Sequence, residues 1–431
     1  MLKQTTLERI ILFLIITIVG SPYFSSWLPK VFDMPIGPLF RFSAIVLFYA
    51  VLAYALILSG RIRVSIVIFA LLILLAVGAI LSAIENKSNV LQIILGLHAL
   101  VFYPMVFSIL VCYFNNSYGK VNWTKTNLLL KRTLTIIFLL TSVIAIIDVI
   151  TDGNFTLMLG YDPNYGGDNF SLINRYYSLV RANGGFADAL AFGYLMAIGF
   201  IFFVYNINKK YGKLYLNIIG VVLTSIACVL SITRGAIITL VIAAMIFIYR
   251  SNTVVKVNTI LMGFLLLLAV SLSSYSNIFM GRFTDSDKGS RVSTTLRYDM
   301  ALESIHFLGN HPFGEGLGSQ GAGSTLSTKT ERINTDNFIF HSMLEAGIFG
   351  GVIFQLLILY QFKNFYTNTR NNRRYFFALF FLYWLSAAVS SSLQAGVLSV
   401  IFWIVCFIIY SETVIKNREP YLEYAGRDKL C

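Results

Sequence analysis

The residues able to do chemistry in this sequence are few, and most of them are arginines. Arg175 and Arg181 stand in a polar stretch at 151–185, and Arg234 stands where two apolar runs meet. Arg282, Arg291, Arg297 and Arg332 fall in the longest polar interval, 277–337, together with His306 and His311. Asp336, His341 and Glu345 lie at the head of the next apolar run. A guanidinium offers a planar fork of N–H donors that matches two oxygens of a phosphate. A carboxylate or an imidazole can take a proton from a hydroxyl. Each residue also has a plainer reading. Arg181 serves equally well as a lipid-headgroup anchor, and Arg234 can snorkel to the membrane surface. His311 before Pro312 is an ordinary loop residue, and Asp336 or Asn337 is what a helix N-terminus asks for.

Spacing sharpens some of these readings. Arg234 sits in Ser231-Ile232-Thr233-Arg234-Gly235, with almost no connector between the flanking apolar runs. A charge at that depth costs a few kcal/mol unless it meets water or a partner, so it points to a cavity. Leu296, Met300 and Phe307 recur at i, i+4 and i+11, which predicts an amphipathic helix over 294–305 with Thr294 as its cap and Arg297 one turn in. The chain then breaks at Gly309-Asn310-His311-Pro312 and enters a glycine ladder at Gly314, Gly316, Gly318, Gly321 and Gly323. Glycines so dense let the backbone turn tightly or approach a ligand. The G-x-G-x-G follows no strand, which excludes a dinucleotide fingerprint. His341 and Glu345 share one helical face, and a carboxylate two turns into an apolar helix is expected to face the interior, toward an arginine.

The composition allows one kind of scaffold to position these residues. Of the 431 residues, 57% are hydrophobic and 12% charged, against about 25% charged in a soluble domain. With a mean hydropathy of +0.74, this is an all-α polytopic membrane protein. A β-barrel would alternate in polarity, whereas here the apolar runs are continuous and about 20 residues long. About twelve transmembrane helices are expected, near 9–27, 38–59, 63–84, 90–114, 134–150, 186–206, 214–232, 235–250, 257–276, 338–362, 375–391 and 393–411. They form a single domain, 1–431, whose two largest outward loops are 151–185 and 277–337. The first segment reads as an anchor that stays. Placing both termini in the cytoplasm gathers 21 of the 33 Lys and Arg on the inner side, as the positive-inside rule requires. The formal charge of +13 is then topological and calls for no nucleic-acid partner. No inward loop holds a phosphate cradle, so chemistry is expected outside, where there is no ATP. Loop 151–185 is rich in Tyr, Asn, Asp and Gly, as sugar-binding loops are. Cys112, Cys228, Cys406 and Cys431 show neither metal spacing nor an obvious partner.

Several motifs together carry a resemblance. Thr233-Arg234-Gly235, Arg297-x-x-Met300, His311-Pro312-Phe313-Gly314-x-Gly316-x-Gly318, and Asp336-Asn337 followed by Leu344-Glu345-x-Gly347-x-x-Gly350 resemble the O-antigen ligase and polymerase superfamily over about 175–360. The resemblance implies a GT-C-like glycosyltransferase of the bacterial inner membrane that uses neither metal nor cofactor. Its donor would be a glycan on undecaprenyl diphosphate at the outer leaflet. Arg181, Arg234 and Arg297 would hold the diphosphate, with Arg175 and Arg291 alongside. Membrane lipids and a chain-length regulator protein are the other expected partners. Ligase members keep a histidine where this sequence has Asp336, which turns the reading toward a polymerase. The general base stays open among Asp336, His311, Glu345 and His341. A ligase, or a polysaccharide transporter or flippase, are the alternatives.

Overall fold

A computed structural model describes residues 65–97, 100–101, 103–117, 122–158, 175–176, 179–184, 189–249, 288–320, 333, 335–369, 372–390 and 397–427. The expected spans 9–27, 38–59 and 257–276 lie outside the described residues. Within them the helices are α1 (Ile66–Glu85), α2 (Val90–Leu97), α3 (Tyr103–Ser117), α4 (Trp123–Ile150), α5 (Asn154–Met158), α6 (Ala189–Asn208), α7 (Leu214–Leu230), α8 (Arg234–Tyr249), α9 (Lys288–Asn310), α10 (Phe338–Asn368), α11 (Arg373–Val389) and α12 (Val397–Arg427). The described strands are β1 (Arg175–Tyr176) and β2 (Leu179–Val180), an antiparallel pair before α6.

The remaining nine expected spans all coincide with helix. Five helical stretches are long and apolar enough to cross a membrane: α1, α4, α6, α10 and residues 398–417 of α12. At 1.5 Å per residue, twenty residues cover roughly the 30 Å of a hydrocarbon core. Most of α3 and all of α7 and α8 are apolar but shorter. Exposed Ile66, Phe69, Ile80 and Ile84 on α1 would be out of place in water and suit contact with lipid.

Two boundaries differ from the sequence expectation. The run 90–114 is described as α2 and α3 with Leu100 and Val101 in a π-helical turn between them, and Pro104 stands in the first turn of α3, where its missing N–H is tolerated. Helix α4 begins at Trp123, eleven residues before the expected 134. Asn122 caps it by accepting from the Lys125 amide at 3.0 Å. Its polar first turns are buried against α12, where Asn127 Nδ2 donates to Ser411 Oγ at 2.9 Å and Lys131 pairs with Glu412. Hydropathy cannot register a polar turn whose partners lie on a distant helix.

Helices in lipid gain little from the hydrophobic effect against one another, so close approach must supply the attraction. Helix α1 crosses α10 at Gly78 and Gly350, where a Cβ on Gly78 would stand 2.8 Å from the Gly350 Cα. Aromatic rings fill the other side of α10: Phe362 lies 5.4 Å from both Tyr383 and Trp403, and Phe107 lies 5.7 Å from Trp403. These contacts join α3, α10, α11 and α12 into one core.

Helix α10 is broken at Gly347, whose φ of 73° is left-handed. The residues after α9 fill the break. Glu315 N donates to Leu344 O at 2.7 Å, and Ile348 N donates to Pro312 O at 2.9 Å. Gly314, Gly316 and Gly318 therefore approach the protein's own α10, α1–α2 turn and α2.

A Gly78→Val substitution should push α1 off α10 and cost about 1–3 kcal/mol. Thermal unfolding of the detergent-solubilised protein measures it; an unchanged midpoint would mean that the helices do not cross there.

Candidate functional site

The site begins at the turn between α7 and α8. Ser231 Oγ closes the end of α7 on Cys228 O at 2.7 Å. Ile232 is buried with φ of 53°, a left-handed backbone that a β-branched residue adopts only when its surroundings force it. Thr233 follows as a hub. Its Oγ1 lies 3.2 Å from Ala189 O and 3.3 Å from Ser231 O, and it accepts from Arg181 Nη2 at 3.1 Å. Arg181 Nε also donates to Ser231 O at 2.9 Å. The guanidinium of Arg181 thus clamps the turn that launches Arg234 as the first residue of α8.

Arg234 reaches across to α9, where Nη2 donates to Thr294 Oγ1 at 3.1 Å. Thr294 is therefore no helix cap: α9 starts at Lys288, two turns earlier. One turn beyond Thr294, Arg297 Nε meets Asp336 Oδ2 at 3.3 Å. Asp336 directly precedes Asn337, which caps α10 by accepting from the Ile339 amide at 2.9 Å and ties it to α11 through Ala388 O at 3.2 Å.

These elements enclose a cavity of about 430 Å³. Arg181, Arg234 and Arg297 all line it, with Thr233, Thr294 and Tyr298 completing the polar wall. Leu190, Ile238, Ala388 and Val389 supply its apolar lining. Three guanidiniums beside an apolar surface make a pocket suited to an anion carried on a lipid, and Asp336 is the carboxylate the described residues place next to Arg297.

Residues 219–355 match the family described as O-antigen ligase. The chain is also 38% identical over 336 residues to an O-antigen polymerase of Salmonella muenchen, covering 74% of this chain and 82% of that protein. The chain belongs to the O-antigen ligase and polymerase family. The family match takes in Arg234, Arg297 and Asp336, while Arg181 joins the cavity from outside it.

The other candidate residues part company with this cavity. His311 is exposed and stacks on Phe307, with ring centroids 4.4 Å apart, outside the cavity lining. Glu345 is buried in α10, away from the arginines. Its neighbour is His341, with Nε2 3.7 Å from Oε1, rather than the expected arginine, and it accepts from the Gln320 amide at 3.4 Å. It holds the glycine-rich segment against the broken helix. Glu315 works alongside it, accepting from Gln320 Nε2 at 2.9 Å and from the Ile333 amide at 2.9 Å. Arg175 pairs in register with Val180 on the hairpin that leads into Arg181. Arg291 lies in the first turn of α9. The side chains of both lie outside the described residues. Ala388 and Val389 carried no chemical signal in the sequence and enter the site because α11 ends there.

Thr233→Val keeps the shape of the hub but removes its hydroxyl. The Arg181 donor then loses a partner, and a loss of about 1–3 kcal/mol is expected. The thermal midpoint reads it, and a midpoint equal to that of the parent chain would refute the hub.

Proposed function

We propose that this chain is a surface-polysaccharide polymerase of the O-antigen type, acting at the outer leaflet of the bacterial plasma membrane. It transfers a growing glycan from polyprenyl diphosphate onto a lipid-linked repeat unit. The observation that carries this reading is the convergence of Arg181, Arg234 and Arg297 on one cavity with an apolar wall. The relation to the Salmonella muenchen polymerase supports it. In this reading the chain crosses the membrane about twelve times, both termini are cytoplasmic, and the cavity opens on the extracytoplasmic side.

The chemistry follows from the charges. A hydroxyl of the acceptor sugar attacks the anomeric carbon of the donor. The bond from that carbon to the phosphate oxygen breaks, and its electron pair leaves with the lipid diphosphate. The guanidiniums stabilise the charge that develops there, without a metal ion. The hydroxyl proton needs an acceptor. We assign that role to Asp336, which meets Arg297 at the cavity, whereas Glu345 lies buried elsewhere and His311 is exposed and stacked on Phe307. Asp336 exchanges its partner as the donor binds, since a diphosphate competes with the carboxylate for Arg297. The description of the matched family names a ligase; Asp336 in the position where ligases keep a histidine favours the polymerase.

A strain lacking the gene, complemented with variants, tests this reading by the length distribution of its surface glycan. Arg234→Ala and Arg297→Ala should each lower polymerisation by about 10²–10³-fold, the usual cost of a lost charge-stabilising donor. The ladder should collapse to single repeats at normal membrane levels of the protein. Asp336→Asn, which keeps a hydrogen-bond acceptor for Arg297 but not a base, should do the same, while His311→Ala keeps the ladder. Parental ladders in the Arg234 and Arg297 variants would overturn the proposal.

A further inference from the structure

The end of the bundle away from the arginine cavity holds a second cluster of charge. Lys131 on α4, only 3% exposed, meets Glu412 on α12 at 2.6 Å. The hydroxyl of Tyr205, on α6, donates to the other carboxylate oxygen at 2.6 Å. Both oxygens of Glu412 are thus engaged. Three more cations gather here: Lys209 after α6, Lys416 on α12 and Arg374 on α11. Among the described residues none of the three has a carboxylate partner of its own. The like charges of Lys416, Lys131 and Arg374 act directly on Lys209. Together with partial desolvation, the larger cause, they hold its ammonium below the usual lysine range despite the pull of Glu412.

Tyrosine rings frame this cluster. Lys131 Nζ lies 5.1 Å from the Tyr205 ring centroid and 4.6 Å from that of Tyr211, Lys209 Nζ lies 5.7 Å from Tyr205, and Arg374 lies 5.1 Å from the Tyr375 ring. Tyrosine is the residue of the membrane–water boundary. Lys209 is nineteen residues along α6 from Leu190 in the cavity wall, or about 28 Å of helix. That is close to the thickness of a hydrocarbon core, roughly 30 Å. The two basic sites therefore lie at opposite membrane surfaces. Beside the second, Tyr211 leads into α7, whose Leu214, Tyr215, Ile218 and Ile219 are exposed. An excess of cations over Glu412, the single carboxylate described there, at headgroup depth and next to a bare apolar flank, matches the two halves of a phospholipid.

We propose that Lys209, Arg374 and Lys416 bind the phosphate of an anionic phospholipid headgroup in the leaflet opposite the arginine cavity, with its acyl chains along α7. The site does not depend on the polymerase reading.

The full chain, purified and delipidated, is placed in nanodiscs of phosphatidylcholine with or without phosphatidylglycerol, and thermal unfolding and retained lipid are measured. Phosphatidylglycerol should raise the midpoint and stay bound through native mass spectrometry. Inorganic phosphate should not reproduce the rise. The triple variant Lys209→Gln, Arg374→Gln, Lys416→Gln should lose the rise and retain severalfold less of the lipid. Should the triple variant not fold, Lys416→Gln alone, an exposed position, must lower the rise. Arg234→Ala should keep it, which separates this site from the cavity. An undiminished rise in the lysine and arginine variants, its loss in Arg234→Ala, or an equal rise with inorganic phosphate would each overturn the proposal.

Discussion

Three guanidinium groups placed around one small cavity repel one another. Two like charges about 8 Å apart at an effective dielectric near 20 repel by roughly 2 kcal/mol. Holding them there is the constraint the rest of this structure serves. Arg181 is fixed by the carbonyl of Ser231 and the hydroxyl of Thr233, Arg234 by the hydroxyl of Thr294, and Arg297 by the carboxylate of Asp336. Each partner sits on a different element, so the arginines pin together the α7–α8 turn, α9 and the head of α10. All three present guanidinium N–H groups to the same small volume.

The rigid frame behind the cavity comes from the break in α10. A straight helix would carry Asn337 and Asp336 along its own axis, whereas the break at Gly347 lets the segment after α9 stitch itself into the helix. That stitching uses backbone groups of Leu344, Ile348, Pro312 and Glu315, and the buried carboxylates of Glu315 and Glu345 gather the amides of the glycine-rich stretch. Gly314, Gly316 and Gly318 serve close packing of protein on protein; Gly321 and Gly323 lie outside the described residues. The helix that carries Arg297 is thereby anchored at its far end by Leu308 beside Ile333 and Leu344, and at its near end by the arginine contacts themselves.

The two ends of the bundle differ in how they treat charge. At the cavity end, cations are spread around an open volume. At the other, an ion pair between buried Lys131 and half-buried Glu412 joins α4 to α12, and Tyr205 adds α6. Loss of Glu412 would leave the Lys131 ammonium buried without its partner. Both ends are tied through the same long apolar helices.

Composition and periodicity were enough to expect an all-α membrane protein and to anticipate helix at each of the nine expected spans that the structure describes, five helical stretches being long and apolar enough to cross a membrane. Arg234 stood out because a charge where two apolar runs meet has few reasons to be there, whereas Arg181 and Arg297 lie in polar stretches and their meeting with it at one cavity came from the fold. Three things were beyond reach. The early start of α4 depends on polar partners 284 residues away. The glycine ladder left tight turns and the approach of a ligand both open, and the positions of α1, α2 and α10 made Gly314, Gly316 and Gly318 packing. Asp336, His311 and Glu345 were equal candidates as residue types. The fold alone set Asp336 beside Arg297, turned His311 out onto Phe307 and sank Glu345 beneath Gln320. A sequence records which side chains can move a proton, but distance between helices decides which of them stands near the charge.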